Sequence, residues 1–565
     1  MRSTGADARR GVSLLPAVAV VAVLTTWLTW RSWGRGQLLY RDFVSVPDPV
    51  LGPAALGTDG QPPRAVPLDA VMALLAPLLP TGLQQQLMVA GCIFLAGTGV
   101  AVLLRRWGQV AMVTGAVAAA WNPYVAERLL VGQPPTLLAY SMTPWMVAAV
   151  RSRLRPAYRL LAVAAAAAPA ALTPWGGVLA AMVVLGTATL LVPRPRWGLV
   201  GAYAVLAVLW CLPWAVPAVR YGSGTGDPDG AAAFAAGADS WAGTVGSVLT
   251  LGGIWAPAAR LASREGPWPV VCSLLVLGTA VVGAVTLRRA GRTRELGVLA
   301  AAWAVPTAVV LLLAWGPVLG VYASLQGVPG FALARDTHRL LALPAVAVAV
   351  LVGVGAGALA ADVAARLSRE GQGRGASSVV AAALGVLAVS LVLLTAPDLP
   401  GRLVEAYRPV TYPGEWARVV ATVDGESPAG QGQGQGQARV LSLPWQPFRQ
   451  VAWVGPQPFL DPLPRALRAE VVGSTVLTVP RDGTLLPVGN EPSEAAAWTQ
   501  GRIDVAALSR LGIGYVVEWK GTPGRLPARH DGLRLVTRGQ WFDTWAVPGA
   551  ARRVAGNTDV GPTSG

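Results

Sequence analysis

The chain has 565 residues, 53% of them hydrophobic and only 13% charged, with a mean hydropathy of +0.50. A soluble globular protein carries roughly a quarter charged residues, so this composition excludes a chain covered by water on all sides. The formal net charge of +16 does not indicate nucleic acid, because the basic residues punctuate apolar runs and form no stripe interleaved with aromatics. Cys92, Cys211 and Cys272 all lie inside apolar runs, which argues against a disulfide framework or a thiolate metal site.

In chain order, Arg2, Arg9 and Arg10 precede an apolar run at 12–30, long enough to span and marked at its far end by Trp27, Trp30 and Trp33. It is predicted to be a retained first helix with a cytoplasmic N-terminus. Further spans are predicted at 86–104, 108–121, 134–150, 160–172, 176–193, 198–219, 269–286, 297–314, 340–361 and 378–396, about eleven in all. Two of these, 108–121 and 160–172, are short for a full crossing. Arginines fill alternate turns: Arg105 and Arg106, then Arg151, Arg153, Arg155 and Arg159, then Arg194 and Arg196. Arg288, Arg289, Arg292 and Arg294 follow, and last Arg366, Arg369 and Arg374. The positive-inside rule then predicts a multi-pass plasma-membrane protein with everything after Ala396 outside the cytoplasm.

On that topology the long loops 31–85, 220–268 and 315–339 face outward, where sites are usually built. Stretch 65–80 (AVPLDAVMALLAPLLP) reads as a helix along the membrane surface. Loop 221–244 contains DPDG but lacks calcium-loop spacing, and reads as a linker or lid. After Asp398 the composition turns to mixed α/β. Strands are predicted at 438–445 and 512–519, a helix at 503–511 and a hairpin at 534–549, with a low-complexity loop QGQGQGQ at 431–437. The predicted domains are a polytopic transmembrane domain 1–397, an extracytoplasmic α/β domain 398–556 and a disordered tail 557–565.

No Walker, GxSxG, HExxH or CxxC motif occurs, and the only histidines are His338 and His530, leaving carboxylates and arginines as the candidates. Asp42, flanked by Tyr40, Arg41 and Phe43, is a possible general base, with Asp48 nearby; alternatively both are turn residues of an interfacial loop. Glu127 and Arg128 follow the helix-stopping Asn122 and Pro123, and read either as a site pair or as a structural pair that binds itself or snorkels. Arg335, Asp336, His338 and Arg339 fall within one short segment. Arg335 and Arg339, at i,i+4, would share a helix face and clamp a phosphate, or else anchor the chain at the membrane. Positive charge there runs against the topogenic pattern, so it calls for a reason of its own.

YRDF (40–43), NPYVAERLL (122–130), RDTHR (335–339), YPGEW (412–416), VLSLPW (440–445) and LSRLGIGYVV (508–517) together resemble the GT-C superfamily of polytopic glycosyltransferases. Within it the chain looks most like actinobacterial arabinofuranosyltransferases and YfhO-like membrane proteins. The resemblance implies an α-helical polytopic fold with an extracytoplasmic α/β domain. It also implies inverting transfer of a sugar from a polyprenyl-phosphate donor to an envelope glycan or glycolipid. Asp42 would then be the base, and Arg41, Arg335 and Arg339 would hold the donor phosphate. Asp48, Glu127, Arg128, Asp336 and His338 would be further members of the site. The expected partners are membrane lipid, lipid-linked sugar and acceptor glycan, with no cofactor or nucleic acid and with metal dependence left open. A lone Asp42 stands where many members carry paired acids, a departure that bears on the base assignment. The alternatives are a non-catalytic scaffold and a lipid-linked glycan transporter. Span interiors nearly free of ionisable groups, and no internal repeat, count against transport.

Overall fold

The structure, a computed structural model, describes residues 12–59, 65–220, 226–328, 330–370, 373–425, 438–481, 483–489 and 491–549. Arg2, Arg9, Arg10, the QGQGQGQ stretch and the tail 557–565 lie outside the described residues.

Each predicted span holds a helix. Eight helices are long and apolar enough to cross a membrane, among the described residues: Leu15–Ser32, Thr81–Trp107, Pro174–Leu191, Trp197–Arg220, Pro267–Arg289, Thr293–Ala314, Thr337–Arg369 and Gly375–Leu393. The other predicted spans are shorter helices, Gln109–Ala120, Pro134–Val150 and Pro156–Ala167. At about 1.5 Å per residue a helix of 12 residues reaches about 18 Å, well under a hydrocarbon core of about 30 Å. Proline at the first turn starts several helices, among them Pro134, Pro156, Pro174 and Pro267, where its missing N–H costs nothing.

The chain divides into two compact units. The first comprises Met1–Trp33, Gln86–Arg408 and Val479–Leu486; the second comprises Gly34–Gln85, Pro409–Thr478 and Pro487–Gly565. In the first unit, small residues let helices approach closely, as apolar surroundings require. A Cβ on Gly283 would sit 2.0 Å from the Leu351 carbonyl, and one on Gly355 2.0 Å from that of Thr279. Gly355→Val is expected to push the helices Pro267–Arg289 and Ala342–Arg369 apart and cost about 1–3 kcal/mol, read as a lower midpoint of thermal unfolding in detergent. At one end of this bundle Arg106, Arg151 and Arg292 all pair with Glu295, at 2.7, 2.9 and 3.1 Å. Three of the Arg-rich turns therefore lie together. Helix Gln109–Ala120 leads from that end to Trp121 and Asn122 at the other.

The second unit is built on a five-stranded sheet. Its strands are β1 (Arg439–Leu443), β2 (Val471–Val472), β3 (Ile513–Trp519), β4 (Arg534–Arg538) and β5 (Phe542–Ala546). The order is β4-β5-β3-β1-β2, with β1 parallel to both neighbours and the β3-β5-β4 side antiparallel. Val440, Val517 and Trp519 pack on one face with Trp416, Phe459 and Phe542. Leu441, Leu443 and Val516 pack on the other with Trp498 and Trp545. Burial on both faces explains why these strands read as continuous apolar runs instead of alternating ones.

Sequence reading did not anticipate that the loop Gly34–Gln85 belongs to this unit. Leu39, Val44 and Val46 join the Trp416 core, Gln37–Leu38 pairs antiparallel with Pro409–Val410, and the Tyr412 hydroxyl donates to the Ser45 carbonyl at 2.9 Å. Within the stretch 65–80 the regular helix is Leu68–Leu75. Its Asp69 forms an ion pair with Arg465 at 2.9 Å; burial raises the Asp69 carboxyl above its ordinary range, opposed by that guanidinium.

Candidate active site

In the second unit Asp42 sits at the corner of a tight turn. Tyr40 and Phe43 exchange backbone hydrogen bonds at 3.1 and 2.8 Å, and both side chains are buried. Arg41 takes φ +49°, a left-handed conformation that disfavours a residue with a side chain. It is held from both sides: its N–H donates to Pro458 at 2.8 Å, and its carbonyl accepts from Leu460 at 2.8 Å. Its guanidinium lies 5.3 Å from the Tyr40 ring centroid. The turn leaves Asp42 exposed between a half-buried Arg41 and a buried Phe43, and Asp48 is exposed farther along the same loop. Backbone strain that the surroundings over-determine is a common mark of functional positions.

In the first unit the structure brings Glu127, Arg128, Asp336, His338 and Arg339 together. Asn122 caps the short helix Pro123–Leu130 by accepting from the Val125 N–H at 3.0 Å. That helix carries Glu127 and Arg128, both wholly buried. Arg128 grips Asp336 through both guanidinium nitrogens, at 2.5 and 2.7 Å, and also donates to Gln133 at 2.8 Å. Its Nε donates to His338 Nδ1 at 3.2 Å. Since Arg can only donate, Nδ1 accepts and the imidazole proton belongs on Nε2, which lies 3.1 Å from Glu127 Oε2. Glu127 Oε2 accepts from the Ile254 N–H at 3.1 Å. His338 stacks on Tyr124, with ring centroids 5.4 Å apart.

The chain of charges continues into the loop before the Pro267 helix. Glu127 shares a side-chain hydrogen bond with Asp239, which Arg264 holds through Nε at 2.8 Å and Nη2 at 3.2 Å. Arg264 also donates to Thr250 at 2.7 Å, and the Gly253 N–H donates to Asp239 at 3.0 Å. Burial, then the nearby Asp239 charge, raises the Glu127 carboxyl well above its usual range. Burial acts upward on Asp239 and Asp336 too, yet Arg264 and Arg128 respectively outweigh it and hold both below the carboxylate range. Two neighbouring carboxyls disfavour each other's charged form, and the upward direction falls on Glu127.

The pH dependence follows in sign. Glu127's raised pKa means its stabilisation is full below an unfolded glutamate's pKa of about 4.3 and is lost as pH rises through the folded value. Asp239 and Asp336 act oppositely, losing theirs as pH falls below about 3.9. Glu127→Gln, a neutral donor of the same shape, is therefore expected to flatten the fall of the unfolding midpoint above that window while leaving the acid limb intact. An unchanged alkaline limb would show that Glu127 does not carry the proton.

Two expectations are corrected by this geometry. Glu127 and Arg128 neither pair with each other nor snorkel, because successive residues on a helix point apart. Arg335 and Arg339 do not share a helix face: a short 3-10 helix, Thr337–Leu341, begins between them. Arg335 instead lies over the Phe234 ring at 4.8 Å, and Arg339, 25% exposed, pairs with Asp336 at 3.1 Å. Asp42, Arg41 and Asp48 belong to the other unit. Sequence reasoning passed over Arg264 and treated Asp239 as part of a linker. The available signal was an arginine in a loop predicted to face outward, the argument applied to Arg335 and Arg339.

The fold and composition define a polytopic helical membrane protein with a sheet-containing C-terminal region. No family model and no curated protein matches the chain. Among solved structures it is similar to ArnT from Cupriavidus metallidurans bound to undecaprenyl phosphate, at 14% identity over 95% of this chain and 99% of that one, with a TM-score of 0.38. The apo form of the same protein gives a TM-score of 0.40 at 14% identity and the same coverage. The archaeal oligosaccharyltransferase AglB from Archaeoglobus fulgidus, in complex with an inhibitory peptide and a dolichol-phosphate, gives 10% identity over 90% of this chain and 69% of that one, with a TM-score of 0.37. These scores describe a distant likeness and assign no residue.

Proposed function

We propose that the chain is a membrane glycosyltransferase that moves a sugar from a polyprenyl-phosphate donor to an envelope glycan or glycolipid at the outer face of the plasma membrane. In this reading the Asp42 carboxylate takes the proton of an acceptor hydroxyl. The freed oxygen attacks the anomeric carbon, the bond to the phosphate oxygen breaks with inversion, and polyprenyl phosphate leaves. Arg41, in the same turn as Asp42, is the cation assigned to the leaving phosphate, whose charge fixed donors stabilise more as it develops; Arg335 and Arg339, in the first unit, are assigned separately as contacts for lipid phosphate. The buried network around Arg128 and Asp336 acts as a positioning frame for Arg339.

The observation that supports this reading most is an exposed carboxylate presented at a strained, doubly pinned turn. The test is reconstitution of the full chain in vesicles with a polyprenyl-phosphate sugar and envelope glycolipid, reading release of polyprenyl phosphate and the elongated product. Release without product, or neither, overturns glycosyl transfer. A protected C-terminal unit in protease accessibility from outside intact cells would overturn the proposed orientation.

A further inference from the structure

The second unit contains a cavity of about 390 Å³, the size of a small-ligand pocket. None of the residues assigned to sugar transfer lines it. Two chain segments build it. Arg502 and Ile503 come from the turn after the short helix Ala495–Thr499, and Arg529, His530, Asp531 and Leu533 from the loop that leads to β4. Gly501, at φ +68°, lets the two segments meet: a Cβ there would lie 2.7 Å from the Leu526 carbonyl oxygen. Backbone bonds fix both. The Arg502 N–H donates to the Ala497 carbonyl at 2.9 Å, and the Leu533 N–H closes a turn onto the His530 carbonyl at 2.9 Å. Ile503 and Leu533 form the apolar floor, packed against the core that holds Trp498 and Trp545.

The His530 side chain is held on two sides. Its ring stacks on Trp545, with centroids 3.8 Å apart and planes 9° from parallel. Nε2 lies 2.8 Å from Glu518 Oε1, and the other Glu518 oxygen accepts from the Trp545 indole N–H at 3.0 Å. An ionised carboxylate can only accept, so Nε2 carries a proton and Nδ1 is left for a ligand. Glu518 is buried and outside the lining, with both oxygens engaged by these donors.

The lining itself carries two guanidiniums, Arg502 and Arg529, against one carboxylate, Asp531. Like charges brought to one cavity repel, and a bound anion relieves that repulsion. Guanidiniums from separate segments can each take different oxygens of a tetrahedral group, whereas one fork already fills a planar carboxylate. Nδ1 selects in the same direction. A phosphomonoester, with a second pKa of about 6, supplies either partner near neutral pH: its P–OH donates to a neutral Nδ1, and its dianion accepts from a protonated one. A carboxylate supplies only the second.

We infer that this cavity binds a phosphomonoester. The inference goes beyond the sugar-transfer reading and does not depend on Asp42 or its turn.

The experiment is isothermal titration calorimetry of the full chain in a maltoside detergent, with glucose 1-phosphate as the probe and glucuronate and glucose as controls. Glucose 1-phosphate is expected to bind about tenfold or more tighter than glucuronate, and glucose not at all. Arg502→Gln and Arg529→Gln are each expected to weaken binding about tenfold or more. Both side chains are exposed, so the unfolding midpoint should hold. Arg510→Gln makes the same change of net charge at an exposed residue outside the lining, and is expected to bind as the parent does. No binding of glucose 1-phosphate, equal binding of glucuronate, or an equal loss in Arg510→Gln overturns the assignment. Repeating the titration in phosphatidylcholine nanodiscs, with and without phosphatidic acid, identifies the source of the phosphate. Competition by phosphatidic acid assigns the cavity to a lipid headgroup, and unchanged binding assigns it to a water-borne ligand. Phosphate binding by a chain that transfers no sugar supports the cavity and overturns only the glycosyltransferase reading.

Discussion

Asp42→Asn is expected to lower sugar transfer by about 10²–10⁴-fold, the range for loss of a general base, with little change in thermal stability. The two parts of this expectation have separate causes. Asp42 is exposed at its turn, and asparagine tolerates turn conformations as well as aspartate, so the fold has little to lose. The acceptor hydroxyl, in contrast, has no other assigned base. The loss should fall on kcat, with KM for donor and acceptor near the parent values, since the carboxylate acts on a proton that moves only in the transition state. Transfer within a few-fold of the parent by a variant that inserts normally would remove Asp42 from the mechanism. Arg41→Gly provides a control on the turn. It relieves the left-handed strain while deleting the guanidinium, so an activity loss there reports the cation and not the backbone.

Asp336→Ala is expected to be the most destabilising single substitution in the first unit, at about 3–5 kcal/mol. Arg128 is wholly buried, and Asp336 meets both of its terminal nitrogens. Removing the carboxylate strands a guanidinium that can neither reach water nor lose its proton. Deleting both charges is a different perturbation. Arg128→Met with Asp336→Leu is expected to recover most of the loss, because an apolar pair avoids the desolvation cost that an ion pair only partly offsets. The double-mutant cycle, read by thermal unfolding in detergent, then gives a large coupling energy. A single-variant cost below about 1 kcal/mol would mean that Asp336 is hydrated in the native state. If the double variant is stable but loses transfer, the ion pair serves to position Arg339, its remaining neighbour at 3.1 Å, and not merely to hold the fold.

How far the sequence could be read differs between the two units. Apolar runs of sufficient length can only become helices in a membrane, so the helical spans were legible from composition alone. The C-terminal strands were legible for a related reason. VLSLPW and GIGYVVEW are short, apolar and bounded by proline or glycine, and became β1 and β3. Asn122 and Pro123 were legible as the stop of one helix, but not as the cap and first turn of the next, Pro123–Leu130. The RDTHR segment was located but its conformation was misjudged. Spacing of i,i+4 implies a shared face only inside a continuous α-helix, and backbone turns there are decided by what Asp336 and His338 must reach.

Composition and pattern were enough for the class: a chain too apolar for water, with arginines in the turns and a mixed α/β segment after Asp398. Tertiary structure alone decided that Glu127 meets Asp239, that Arg128 meets Asp336, and that the first loop completes the C-terminal core. These pairings join residues far apart in the chain, and buried charge is stable only where its partner is supplied. Local propensity carries no information about which distant loop brings that partner.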